Sequence, residues 1–195
     1  DIRNGVPGHL LHHELRYVPR QGKFTGVHDR LYARAIVLGN EQTRLAIISA
    51  DSIGYSNEIL GEGRNFTAEV RQRIQRRVGI EAENVMLAST HAHSTPETTG
   101  ITRLLDVPEA APWLEVLIDY LTSAVEIAAG NLKKVHLKVG TGEAEGIGFS
   151  RRVIGTDGKI YRWTNLPPDE QIARCAVDHQ VGVLLAEALE SEPSK

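Results

Sequence analysis

The chain has 195 residues, 22 Lys and Arg against 25 Asp and Glu, and a formal net charge of −3. That length supports one domain with a real core, and the interspersed charges provide no basic field to recruit nucleic acid or an anionic membrane surface. The single cysteine, Cys175, excludes an internal disulfide and a Cys-rich zinc site, so any metal must be held by His, carboxylate or phenol. No apolar run reaches the roughly 18 residues of a membrane span. No initiating Met or export signal is seen, and the numbering is expected to begin inside a longer precursor.

Residues 1–27 carry Gly5, Pro7, Gly8, Pro19, Gly22 and Gly26, which break any periodicity, and read as an irregular arm. Residues 31–38 and 44–50 have strand composition, and Gly39-Asn40 between them suits a hairpin turn. An antiparallel pair follows. Phe66, Val70, Ile74 and Val78 recur every four residues, the signature of an amphipathic helix that Asn65 or Thr67 can cap and Gly79 can end. Its arginines Arg71, Arg73, Arg76 and Arg77 lie mostly off that stripe and read as a solvated face, or else as a phosphate-binding patch.

The apolar run 84–89 reads as a strand and leads into His91-Ala92-His93, with Pro96 ending the stretch. Two imidazoles at i and i+2 share one face of an extended chain and can address one metal ion or one substrate. Two hydrogen-bonded loop histidines are the plain alternative. Pro112 opens a longer helix carrying Leu114, Leu117, Tyr120, Leu121, Ala124, Val125 and Ala128, closed by Gly130. Val135, Leu137 and Val139 then alternate with Lys134, His136 and Lys138 as in a half-buried strand, which leaves His136 facing solvent.

The order strand, helix, strand, helix, strand from 44 to 141 predicts an α/β fold, a mixed sheet with parallel right-handed crossover units and flanking helices. Ligands in such sheets bind beyond the carboxyl ends of the strands. Asp51 follows one strand and His91 and His93 follow the next, so parallel neighbours would bring a carboxylate and two imidazoles to one edge. Metal-bound histidines commonly give their other nitrogen to a carboxylate or carbonyl, which suits Asp51; capping a helix or turn suits it equally. Gly140 to Gly146 lacks the spacing and the following helix of a dinucleotide loop. Neither a Gly-x-Ser-x-Gly elbow nor a Gly-Lys-Ser/Thr phosphate loop occurs, and Asn65-Phe66-Thr67 is a glycosylation sequon in spelling alone.

Five ordered blocks carry a family resemblance. Gly26-Val27-His28-Asp29-Arg30-Leu31-Tyr32-Ala33-Arg34-Ala35, Ser49-Ala50-Asp51 and the run from Asn84 through Thr90-His91-Ala92-His93-Ser94 are followed by Gly148-Phe149-Ser150-Arg151-Arg152 and Val177-Asp178-His179-Gln180-Val181-Gly182-Val183-Leu184. Together they resemble the N-terminal catalytic region of the neutral/alkaline non-lysosomal ceramidases. The resemblance implies a single domain over 1–195 that is an incomplete portion of a larger α/β catalytic domain. It also implies a zinc-dependent amidohydrolase that splits the N-acyl bond of ceramide into a sphingoid base and a fatty acid. His91 would be the metal ligand, and His93 and Arg151 would contact the substrate or its reacting amide. Asp51 and His28 would stand behind them, although His28 can equally be a turn histidine pairing with Asp29.

The remaining Zn2+ ligands of the family are expected in blocks beyond residue 195, and His179 stands where the family pattern has Pro. One histidine falls short of the three protein ligands of a catalytic zinc site, so this chain alone is expected to be inactive. A lipid substrate implies peripheral contact with membrane lipid, and the resemblance implies an exported protein. A non-catalytic lipid- or carbohydrate-binding module on the same fold, or a metallohydrolase for another amide or ester, stays open. Residues 183–190 have helical composition where the family has a strand.

Overall fold

The computed structural model describes residues 27–96, 98–100, 110–148, 150–162 and 164–189. All of the irregular arm except residue 27 lies outside the described residues. The chain divides into two compact units, Asp1–Leu132 and Lys133–Lys195.

In the first unit, β1 (Ala33–Gly39) and β2 (Arg44–Ala50) pair antiparallel from Ala33↔Ala50 to Gly39↔Arg44. The connecting turn is built by Asn40, whose Oδ1 accepts from Gln42 N and Thr43 N at 2.9 and 2.8 Å. Helix α1 (Phe66–Val78) follows, then β3 (Val85–Ser89), which pairs with β2 in parallel from Ala46↔Val85 to Ala50↔Ser89. The sheet order β1-β2-β3 therefore contains one antiparallel and one parallel pair, as a mixed sheet requires. The expected caps are in place. Asn65 Oδ1 accepts from Ala68 N at 2.9 Å, and Gly79 closes α1 with φ +73°.

Helix α2 (Ala110–Gly130) begins two residues before Pro112, which sits in its first turn, where a missing N–H costs nothing. Both helices join one core with the sheet face that carries Val37, Ala46, Ile48, Ala50 and Val85. Phe66, Val70 and Ile74 from α1 and Leu114, Ile118, Leu121 and Val125 from α2 are fully buried there. Burying one such side chain contributes roughly 1.5–3 kcal/mol. The opposite sheet face carries Ile36, Leu45 and Met86, which remain exposed.

The arginines of α1 do more than face solvent. Arg73 pairs with Glu115 at 2.9 Å and Asp119 at 2.8 Å, Arg77 with Asp119 at 3.6 Å and also with Glu126. Arg64, before the helix, bridges Glu69 and Glu115. Arg71 Nε donates to the Val85 carbonyl at 2.9 Å. One row of guanidinium groups on α1 thus meets one row of carboxylates on α2.

The second unit is strand-built. β4 (Val135–Glu143) pairs antiparallel with β8 (Gln180–Ala188), while β5 (Arg152–Gly155) is flanked by β6 (Ile160–Arg162) and β7 (Ile172–Arg174). Two expectations change here. Among the described residues β4 pairs with β8 and not in the β1-β2-β3 sheet, so the second parallel crossover expected there is not seen. Nor is β4 half-buried: Val139 is 82% exposed, because the two-stranded ribbon has no layer of described residues over it. β8 is a strand despite its helical composition, since nine ladder positions opposite β4 outweigh a propensity of tenths of a kcal/mol per residue. No helix among the described residues is long and apolar enough to cross a membrane.

Candidate functional site

The parallel ladder of β2 and β3 runs on past both strand ends. Thr90 N donates to Ala50 O at 3.0 Å and Ala92 N to Ser52 O at 3.1 Å. Asp51, His91 and His93 therefore emerge at the same sheet edge, where open α/β sheets place their ligands. The Asp51 carboxylate accepts from Tyr32 N at 2.9 Å and from the Thr90 hydroxyl at 3.4 Å, and Arg34 approaches it to 3.6 Å. It clips the entry of β1 to the exits of β2 and β3. The Arg34 guanidinium also lies 4.9 Å from the Tyr32 ring centre.

His91 is the one non-glycine among the described residues with positive φ, at +60°. The strand has ended at Ser89, so an extended chain is not what presents the two rings on one side. A left-handed turn does it instead: the His91 and His93 rings are 4.9 Å apart and nearly perpendicular, at 89°. His91 Nδ1 lies 2.7 Å from the Ile53 carbonyl oxygen. A carbonyl only accepts, so Nδ1 is the donor in this bond, and in the neutral imidazole the lone pair then lies on Nε2. That is the tautomer of a metal-ligating histidine whose second nitrogen is held by the protein. The partner is the Ile53 carbonyl, supplied by the residues after β2, while Asp51 braces the strands around it.

Beyond Asp51, residues 52–55 went unnoticed in the sequence, although Gly54, four residues past an apolar strand, is a usable sign of close backbone approach. Ser52 and Tyr55 bury their hydroxyls there, and neither meets hydrogen-bond geometry with another described group. Burial pushes the Tyr55 phenol above its ordinary value, and the neighbouring Ser52 hydroxyl opposes part of that shift. The Tyr55 ring stacks on Phe66 at 5.0 Å, which ties this segment to the start of α1.

His28 is exposed and lies 2.8 Å from Asp29, whose hydrogen bond and charge raise its imidazole above the ordinary value. Its partner is thus the adjacent residue. Arg151 belongs to the second unit, exposed at the entry of β5, where the Ser150 hydroxyl folds back on Arg152 by donating to its carbonyl at 2.7 Å. Among the described residues no group of three His, Cys, Asp or Glu is placed to hold a metal ion. The described residues therefore offer a metal ion the held imidazole of His91 but do not form a closed zinc site.

A model of the family described as neutral/alkaline non-lysosomal ceramidase, N-terminal, matches residues 15–155. The fold is similar to that of a neutral ceramidase from Pseudomonas aeruginosa, with a TM-score of 0.54 and 21% identity over 88% of this chain and 26% of that one. It is likewise similar to a ceramidase complexed with C2, with a TM-score of 0.54 and 22% identity over 84% of this chain and 24% of that one. The chain thus spans about a quarter of the length of either structure. No curated protein sequence matches it.

Proposed function

The chain belongs to the neutral/alkaline non-lysosomal ceramidase family, and on that premise we propose that it supplies part of the active site of a zinc-dependent amidohydrolase that cleaves the N-acyl bond of ceramide. The observation that carries the reading is the His91 ring, fixed through Nδ1 on the Ile53 carbonyl with Nε2 left to bind. A ring held this way loses little rotational freedom on binding a cation. The chemistry that zinc supplies when bound is Lewis acidity toward an amide carbonyl and a lowered pKa for water.

The other roles are part of the same proposal. His93, its ring perpendicular to that of His91 at 4.9 Å, contacts the polar head or the reacting amide of the substrate. Arg151 carries five fixed donors and holds the substrate or polarises its carbonyl. Asp51 keeps the three strand ends in register. His28, held by the adjacent Asp29, would stand behind these residues. The remaining ligands come from other parts of the complete enzyme, and the lipid substrate brings it into peripheral contact with membrane lipid.

The test is a fluorogenic ceramide assay on the complete gene product, with and without chelator, alongside His91→Ala and zinc analysis of both proteins. Loss of activity on chelation, and joint loss of zinc and activity in His91→Ala, is the expected result. Activity indifferent to both treatments overturns the zinc role.

A further inference from the structure

The turn that carries His91 is braced from a second side. Beyond the Ile53 carbonyl that accepts from His91, the next carbonyl, that of Gly54, accepts from the Thr98 hydroxyl. Ser56 N then donates to Thr98 O at 2.8 Å. Gly54 thus sits between two peptide groups whose oxygens are both spoken for, one by His91 and one by Thr98. Packing tightens the same place: a Cβ on Gly54 would meet Thr99 Cγ2 at 3.1 Å, and one on Gly100, at φ +77°, would meet Ser56 Oγ at 3.1 Å. Thr98 is 1% exposed, so its hydroxyl has no recourse to solvent if the bond is lost.

We propose that Gly54 and Thr98 are positioning residues for His91, gripping the peptide groups on either side of Gly54 so that the Ile53 carbonyl stays aimed at the imidazole. The inference rests on the reading of His91 as a metal ligand and names what keeps that ligand in place. The physical chain is short. The carbonyl direction is set by the plane of the 53–54 peptide, and that plane tilts by counter-rotation about ψ of Ile53 and φ of Gly54. The Thr98 hydroxyl, bonded to the far side of Gly54, resists the rotation, and the Thr99 methyl fills the space a tilt would need. Freed from this grip, the Ile53 oxygen swings away and the ring loses both its tautomer preference and its direction.

The decisive measurement is zinc affinity of the complete gene product by competition with a chromophoric chelator. Thr98→Val, which keeps the shape and removes the hydroxyl, should weaken zinc by about 10-fold or more, the usual penalty for removing a partner that orients a ligand. Gly54→Ala should do the same by steric displacement, and Gly54→Ala with Thr99→Ser, which deletes the opposing methyl and keeps the hydroxyl, should recover most of the loss. Thr122→Val is the control: that buried hydroxyl donates to Ile118 O at 2.8 Å within α2, so its loss lowers stability without touching zinc affinity.

Wild-type zinc affinity in both Thr98→Val and Gly54→Ala overturns the proposal while leaving His91 as ligand intact. If instead His91→Ala binds zinc as the parent does, the ligand reading fails. The His91 ring nitrogen shifts in the zinc-free protein then decide the positioning role: a mixed tautomer population in Thr98→Val sustains it, and an unchanged Nδ1–H form refutes it. Should Thr98→Val fail to fold, the Gly54 single and double variants carry the same test.

Discussion

At residue 91 the backbone holds a conformation that most side chains avoid. A φ of +60° costs a non-glycine residue on the order of 1 kcal/mol, more for a β-branched one, while Asn, Asp and His tolerate it best. His91→Asn should therefore keep nearly the parent's stability toward urea. His91→Val should lose about 1–2 kcal/mol more than His91→Asn, since its Cβ methyls crowd the left-handed turn. Equal denaturation midpoints for the two variants would show that the turn is unstrained. The motif His-Ala-His was visible in the sequence, and so was the arrival of Asp51 at the same edge. The Ile53 carbonyl was not, because a backbone acceptor has no letter of its own and Gly54 signalled only that something comes close.

At the scale of elements, the helices are fixed by local chemistry at their ends and by charge along their sides. Asn65→Ala should cost about 1 kcal/mol by removing the cap on Ala68 N. Gly79→Ala should cost a similar amount, about 1 kcal/mol, through its φ of +73°, since no more distant part of the chain stands within 4 Å of the added methyl. Thermal denaturation reads both.

Between the helices, the Arg64 and Arg73 guanidinium groups hold the Glu115 carboxyl below its ordinary value of 4.5. The unfolded chain therefore binds this proton more readily, and the pair's contribution is present above pH 4.5 and fades as pH falls through the lower folded value. Glu115→Gln should flatten the acid limb of the stability profile. Because these side chains are partly exposed, the loss at neutral pH should stay near 0.5–1 kcal/mol, and it should shrink in high salt. Sequence periodicity revealed the caps and apolar stripes of α1 and α2 because those signals are local. The arginine row was legible as charge off the stripe but not as a zipper, since its carboxylates lie on another helix some forty residues away.

Across the whole molecule, protection should follow burial. Amide hydrogens of β2, paired on both sides and carrying Ala46, Ile48 and Ala50 into the core, should exchange most slowly, and those of the exposed β4–β8 ribbon far faster. Mass-spectrometric exchange with equal rates in the two places would contradict this. The resemblance to a family supplied the strand character of β8 that composition argued against, while the alternation in β4 promised a buried face that the ribbon does not have. Alternation reports which side chains share a face, and says nothing of whether any layer comes to rest on it. The register of β2 against β3 has a last consequence for how the gene can change length. From Ala46↔Val85 to Ala50↔Ser89, and on through Thr90 and Ala92, every step along β3 is counted off against β2. The pair works as a ruler: a residue inserted between Gly79 and Val85 is taken up by the connection from helix to strand. One inserted between Val85 and Ser89 shifts the count, and a different side chain arrives at the Ile53 carbonyl.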